Sequence, residues 1–244
     1  MNKLILIDGM ALIFKAYFAF MRNPLSSKKG EPTSAIFGFL SQLFKIMEDT
    51  KPDYIAVALD SKEPTFRHEI YSEYKANRDM IPEDLIPQIA RIQEIISALN
   101  IMTYRLPGYE ADDIIGTILK KTSKQGIESI AVTPDKDYIQ LIDDNLFVIK
   151  PGKSNEDLAF YNYDKVVTEY GFKPEQMIDF LALVGDLSDN IPGVRGIGEK
   201  TAVPLIESFG SVEGIYDNIE SIEKNSVKEK LLINKDNAFL SKEL

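Results

Sequence analysis

Three short apolar runs that each give way to aspartate constrain this chain more than any other feature. LILID (4–8) and YIAVALD (54–60) end on Asp8 and Asp60, and the run opening ESIAVTPDKD (128–137) has Asp135 and Asp137 just beyond it. Runs this short, apolar and β-branched, closed by breakers, predict buried parallel strands. IMTYRL (101–106) and LFVIK (146–150) predict two more. Helical periods lie between them. Apolar positions 36, 37, 39, 40, 43, 44 and 47 predict a helix over 34–49, and positions 85, 86, 89, 92, 95, 96 and 99 predict one over 82–100. Strands alternating with helices imply an open α/β sheet with right-handed crossovers. Ligands of such sheets bind beyond the carboxyl ends of the strands. Asp8, Asp60, Asp135 and Asp137, distant in sequence, are therefore expected along one edge.

A second set of acids opens the helical stretch EADDIIGTILKK (110–121). The helix dipole favours an acid in the first turn by roughly 0.3–1 kcal/mol, which accounts for one or two of Glu110, Asp112 and Asp113. Glu110 and Asp113, three apart, share a helix face. Three acids aimed at a strand-end cluster repel unless a hard divalent cation sits among them. LVGDLSDN adds Asp186 and Asp189, for nine acids in all. One ion cannot use so many, whereas two ions about 3.5–4 Å apart can, the geometry of in-line displacement at phosphorus. An apolar strand ending in Asp also begins aspartyl-phosphate phosphatases. Those need a second Asp two positions on, and Met10 stands there.

Beyond about residue 165 strand signals vanish and a helical second subdomain is expected. Within it, IPGVRGIGEKTA (191–202) sets Gly193, Gly196 and Gly198 in a tight hairpin between a helix over 174–185 and one opened by GEKTAVPLIESFG. Backbone N–H groups of such a hairpin suit a phosphate, with Arg195 and Lys200 adding charge. The unit reads as a helix–hairpin–helix, which grips a DNA backbone without reading sequence. HEIYSEYKANRDMIP (68–82), preceded by Arg67, mixes Lys75 and Arg78 with Tyr71 and Tyr74, a combination suited to phosphates and unstacked bases. On a helix Lys75 and Arg78 would share a face.

The formal charge of −10 alone argues against nucleic acid, but bound dications cancel much of it if the acids are ligands. Absence of cysteine removes a disulfide framework and any thiolate metal site. No secretory signal and no apolar stretch near the roughly 20 residues of a membrane helix is found, so a soluble cytoplasmic protein is expected.

These residues together resemble one family. LIDGMALIFKAYFA, GEPTSAIFGF, AVALDSKEPTFRHEIYSEYKANR, GYEADDIIGT, DKDYIQL and GDLSDNIPGVRGIGEKTA are similar to the 5′-nuclease domains of bacterial DNA polymerase I, in the flap endonuclease superfamily. The resemblance implies a PIN-like α/β core over 1–165 with a helical arch at about 64–84, and a helix–hairpin–helix subdomain over 166–244. It implies two Mg2+ or Mn2+ ions. Asp8, Asp60, Glu110, Asp112 and Asp113 mostly serve the first, and Asp135, Asp137, Asp186 and Asp189 the second. Lys75 and Arg78 reach the scissile phosphate and act with Asp113 in catalysis. Lys15, Arg67, Tyr74, Gly193, Arg195, Gly196, Gly198 and Lys200 are the expected DNA contacts, with a potassium ion on the hairpin carbonyls. The implied substrates are DNA with a 5′ flap, nick or 5′ end and RNA primers, cut by a monomer fused to, or acting with, a DNA polymerase in replication and repair.

Three positions depart from the family pattern. Pro134 stands where Gly is usual and fixes φ before Asp135. Lys15 replaces an Arg that can bind phosphate with two hydrogen bonds. Pro204 falls inside an expected helix, which it would shorten or kink. The one histidine, His68, is not expected to act as a base. Two rival readings are a DNA-binding module without catalysis, which Pro134 favours, and a PIN-type ribonuclease, which typically has about four acids and no helix–hairpin–helix.

Overall fold

The computed structural model describes residues 2–152 and 157–244. In chain order the elements are β1 (Lys3–Asp8), α1 (Gly9–Ala19), α2 (Ser34–Thr50), β2 (Tyr54–Ala58), α3 (Phe66–Ile70), α4 (Ile86–Ala98), β3 (Met102–Tyr104), α5 (Ala111–Ser123), β4 (Glu128–Val132), β5 (Leu146–Pro151) and β6 (Leu158–Tyr161). Then come α6 (Tyr163–Tyr170), α7 (Met177–Val184), α8 (Glu199–Phe209), α9 (Val212–Asp217), α10 (Asn225–Ile233) and α11 (Lys235–Glu243). Two compact units result: residues 1–65 with 80–162, and residues 66–79 with 163–244.

The first unit is built on a sheet of strand order β3-β2-β1-β4-β5-β6. All neighbours are parallel except β5 and β6. The five expected strands are present, and β6 is an antiparallel edge that the apolar-run argument did not reach. Strands buried on both faces are apolar through their covered length, as Leu4–Ile7 of β1, Ile55–Ala58 of β2 and Ile130–Val132 of β4 are. Ile5, Ile7, Val57, Ile130 and Val132 face one core with Leu12 of α1, Phe39 of α2 and Ile92 of α4. The alternate side holds Leu6, Ala56 and Ala131, where α5 packs with Ile115 and Leu119 buried. Helix α4 starts at Ile86 rather than 82, with Pro87 in its first turn, where a missing N–H costs nothing.

The second unit is helical, as expected. The stretch 227–244 is two helices, divided at Asn234. Helix α8 runs through Pro204 to Phe209, so the expected shortening does not occur. A buried ion pair links α7 to α11: Asp179 accepts from Val212 N (2.8 Å) and from Lys242 Nζ (2.6 Å), and Lys242 also reaches Glu213 at 2.7 Å. The expected arch is helical only in α3; residues 72–77 are turns. Lys75 has φ 56°, a left-handed conformation that no helix continues. Among the described residues no helix is long and apolar enough to cross a membrane.

Candidate active site

Parallel order places β2, β1 and β4 side by side with their carboxyl ends together. Asp8 is the last residue of β1 and also caps α1: its Oδ1 accepts from Ala11 N at 3.1 Å. Its Oδ2 accepts from Thr133 Oγ1 and Tyr138 Oη, both at 3.2 Å. Asp8 is only 8% exposed. Burial, then the charges of Asp60 and Asp135, push its carboxyl up to about 6, against the lowering effect of the bond from Ala11 N. Like charges thus crowd this edge at a real electrostatic cost.

The neighbouring acids are held by amides. Asp60, two residues past β2, accepts from Ala111 N of α5 at 2.8 Å. Asp113 Oδ2 accepts from Glu110 N at 3.0 Å, and Asp112 Oδ1 from Asp113 N at 2.7 Å. The first turn of α5 therefore neutralises part of the acid it carries, the bland role anticipated from the dipole. Past β4, Asp135 N donates to Thr133 Oγ1 (3.1 Å) and Asp137 N to Asp135 Oδ1 (3.0 Å). Pro134 does not disturb this ladder. Asp8, Asp60, Asp112 and Asp135 all act electrostatically on Asp8 or on Tyr138 beside it. Among the described residues no three carboxylates stand closed on one point; Asp8, Asp60, Asp112, Asp113 and Asp135 are each turned toward their own donors. The donor set, all hard oxygens of one sign, fits divalent cations of the magnesium class.

Lys15 Nζ donates to Gly152 O, and burial lowers its pKa. Thr133 and Tyr138 escaped the sequence reading. Tyr138 follows Asp137 directly, and only the register of β1 beside β4 could have revealed its proximity to Asp8.

In the second unit, Asp189 accepts from Arg78 Nη2 at 2.6 Å, with Lys75 Nζ at 3.7 Å and Tyr74 Oη at 3.4 Å. Lys75 N donates to Asp189 O at 2.9 Å, and Asn190 Nδ2 to Glu73 O at 2.6 Å. Lys75 and Arg78 converge, but through this turn rather than a shared helix face. Tyr74, placed by sequence among the DNA contacts, is 4% exposed and packs edge-on to His68, so its ring offers no face to a base. Arg67 Nε donates to Leu244 O at 2.6 Å. Asp186 Oδ1 accepts from Ser188 N at 2.7 Å.

The glycine hairpin joins α7 to α8 as read from sequence. Gly185 and Gly193, at φ 73° and 57°, press backbone on backbone. Gly193 N–H, offered by sequence to a phosphate, donates instead to Ser241 Oγ at 2.9 Å. Lys230 Nζ donates to Gly196 O at 2.9 Å. Gly198, Arg195 and Lys200 are exposed at the α8 N-terminus.

Residues 3–171 match the family described as 5'-3' exonuclease, N-terminal resolvase-like domain, and residues 172–244 match the 5'-3' exonuclease C-terminal SAM fold. This chain belongs to the 5'-3' exonuclease family. By that membership it is a nuclease chain. DNA polymerase I of Bacillus subtilis (strain 168) is 45% identical over 243 residues, covering 100% of this chain and 27% of that protein. The chain thus spans about a quarter of the curated relatives it matches. The fold resembles the bacteriophage T5 D15 flap endonuclease in a pseudo-enzyme-product complex with DNA and metal ions, at TM-score 0.78 and 23% identity over 99% of this chain and 88% of that one. The catalytic core of Rad2 in complex with DNA substrate follows at TM-score 0.60 and 20% identity, over 96% and 73%.

Proposed function

We propose that this chain is a structure-specific 5′ nuclease that hydrolyses phosphodiester bonds of DNA bearing a 5′ flap, nick or 5′ end, and of RNA primer segments. The observation that carries the reading is the set of acids at the carboxyl ends of β2, β1 and β4, with Asp8 pushed toward protonation by burial first and then by the charges of Asp60 and Asp135. Family membership, the DNA and metal ions held by the T5 neighbour and the DNA substrate held by the Rad2 neighbour support it.

Two divalent ions, magnesium or manganese, would supply when bound an activated water and charge relief for the leaving 3′ oxygen. Asp8, Asp60, Glu110, Asp112, Asp113, Asp135 and Asp137 are the first unit's ligands in this account. Asp186 and Asp189 keep the ligand role that the resemblance gives them. Lys75 and Arg78 offset charge on the phosphate in the transition state, which requires them to exchange Asp189 for substrate. Lys15, Arg67, Arg195, Lys200 and the exposed hairpin amides hold the backbone, and hairpin carbonyls take a potassium ion. A monomer acting in the cytoplasm, fused to or beside a DNA polymerase, completes the reading; the share of DNA polymerase I that matches supports the last point.

The test is cleavage of a labelled 5′-flap duplex with magnesium and product sizing, for the parent chain and Asp113→Asn. The proposal expects cleavage near the flap base and a large loss in the variant. Flap DNA that is bound yet stays intact even with manganese, or full activity in the variant, overturns it.

A further inference from the structure

Asp8, like Glu110, is a buried acid, and its hydrogen bonds specify how it can serve. A carboxylate has about four lone-pair positions. Ala11 N takes one on Oδ1, and Thr133 Oγ1 and Tyr138 Oη take two on Oδ2. Tyr138 lies in the turn Asp137–Leu141 and is 2% exposed. The turn packs against α5 and β5, so the buried ring cannot leave without unpacking it.

We propose that Tyr138 is a positioning residue for metal binding: with Thr133 it saturates Oδ2 of Asp8 and leaves this carboxylate one oxygen, Oδ1, to offer an ion. The inference rests on the metal reading given above. Asp8 then binds through one oxygen and cannot chelate through both. Small ions that demand octahedral geometry, such as Mg2+, accept single-oxygen carboxylates, whereas Ca2+ takes bidentate ones readily. The tyrosine therefore selects for the small ion as well as orienting the ligand. It stays a donor throughout the neutral range, as a phenol that titrates near 10 does.

The experiment is Mn2+ binding to the 244-residue chain, followed by electron paramagnetic resonance, with Ca2+ as competitor, for the parent, Tyr138→Phe and Asp8→Asn. Partners outside the ligand set typically contribute about 10–100-fold in metal affinity. Tyr138→Phe is expected to weaken Mn2+ by roughly tenfold or more and to make Ca2+ a better competitor. A merely structural tyrosine would lower the melting temperature and leave the Ca2+-to-Mn2+ preference unchanged. Unaltered affinity and preference in Tyr138→Phe, beside lost binding in Asp8→Asn, overturns the inference alone. Unaltered Mn2+ binding in Asp8→Asn overturns the metal reading beneath it. If Tyr138→Phe does not fold, Thr133→Val and Thr133→Ser decide: the first should weaken Mn2+ and the second restore it, and equal affinities count against the proposal.

Discussion

Replacing Asp8 with Asn should stabilise the metal-free protein at neutral pH and disable it as a nuclease. The magnitude follows from the carboxyl's surroundings. An ordinary aspartate titrates near 4, and burial with the charges of Asp60 and Asp135 moves Asp8 up to about 6. Below about pH 4 the side chain is protonated in both folded and unfolded protein, and its ionisation affects neither. Between about 4 and 6 only the folded protein holds the proton, so stability falls as pH rises, and above about 6 the full cost is present. Two pH units correspond to about 3 kcal/mol. Asn keeps the acceptor for Ala11 N but serves Thr133 and Tyr138 less well, an offset of about 1 kcal/mol. Asp8→Asn should therefore be about 2 kcal/mol more stable than the parent near pH 7.5 and about 1 kcal/mol less stable near pH 4. Urea unfolding in EDTA, followed by circular dichroism because the chain has no Trp, measures both differences. Added magnesium should raise the parent's stability more than the variant's. A difference between the two proteins that is the same at both pH values would refute the reasoning.

Two further outcomes are expected. Asp189→Asn removes the negative charge that pairs with Arg78 and Lys75; pairs of this kind near the surface are worth about 0.5–1 kcal/mol, so flap DNA should bind roughly threefold tighter in EDTA by fluorescence anisotropy, and unchanged or weaker binding contradicts this. Gly193→Ala sets a Cβ 2.3 Å from Gly185 N at φ 57°; overpacking plus left-handed strain of about 2–4 kcal/mol should lower the melting temperature by roughly 5–15 °C, and a parental melting curve would show that the two glycines do not press together.

The parts of this fold legible in sequence are those fixed by burial alone. A strand covered on both faces is mostly apolar, so LILID, YIAVA and ESIAV announce themselves, and the acids at or just past their ends inherit the sheet edge. Amphipathic α2, α4 and α5 follow from the same logic, with boundaries moved by Pro87 and the turns before it. What sequence did not yield depends on contacts made across the chain. β6 is a four-residue antiparallel edge with no distinctive run. The turn around Lys75 reads as helix by spacing, but bonds to Asp189 and Asn190 over a hundred residues away hold it left-handed. Tyr74 reads as a stacking platform and is buried instead. Thr133 and Tyr138 are ordinary letters until β4 lies beside β1 and brings them to Asp8.

The most direct test of the central claim is anomalous diffraction from crystals of this chain soaked in manganese. The account predicts manganese at the carboxyl ends of β2, β1 and β4, with Asp8 Oδ1 at about 2.1 Å from one ion. Ordered manganese elsewhere, with none within about 4 Å of Asp8 at saturating concentration, would contradict it.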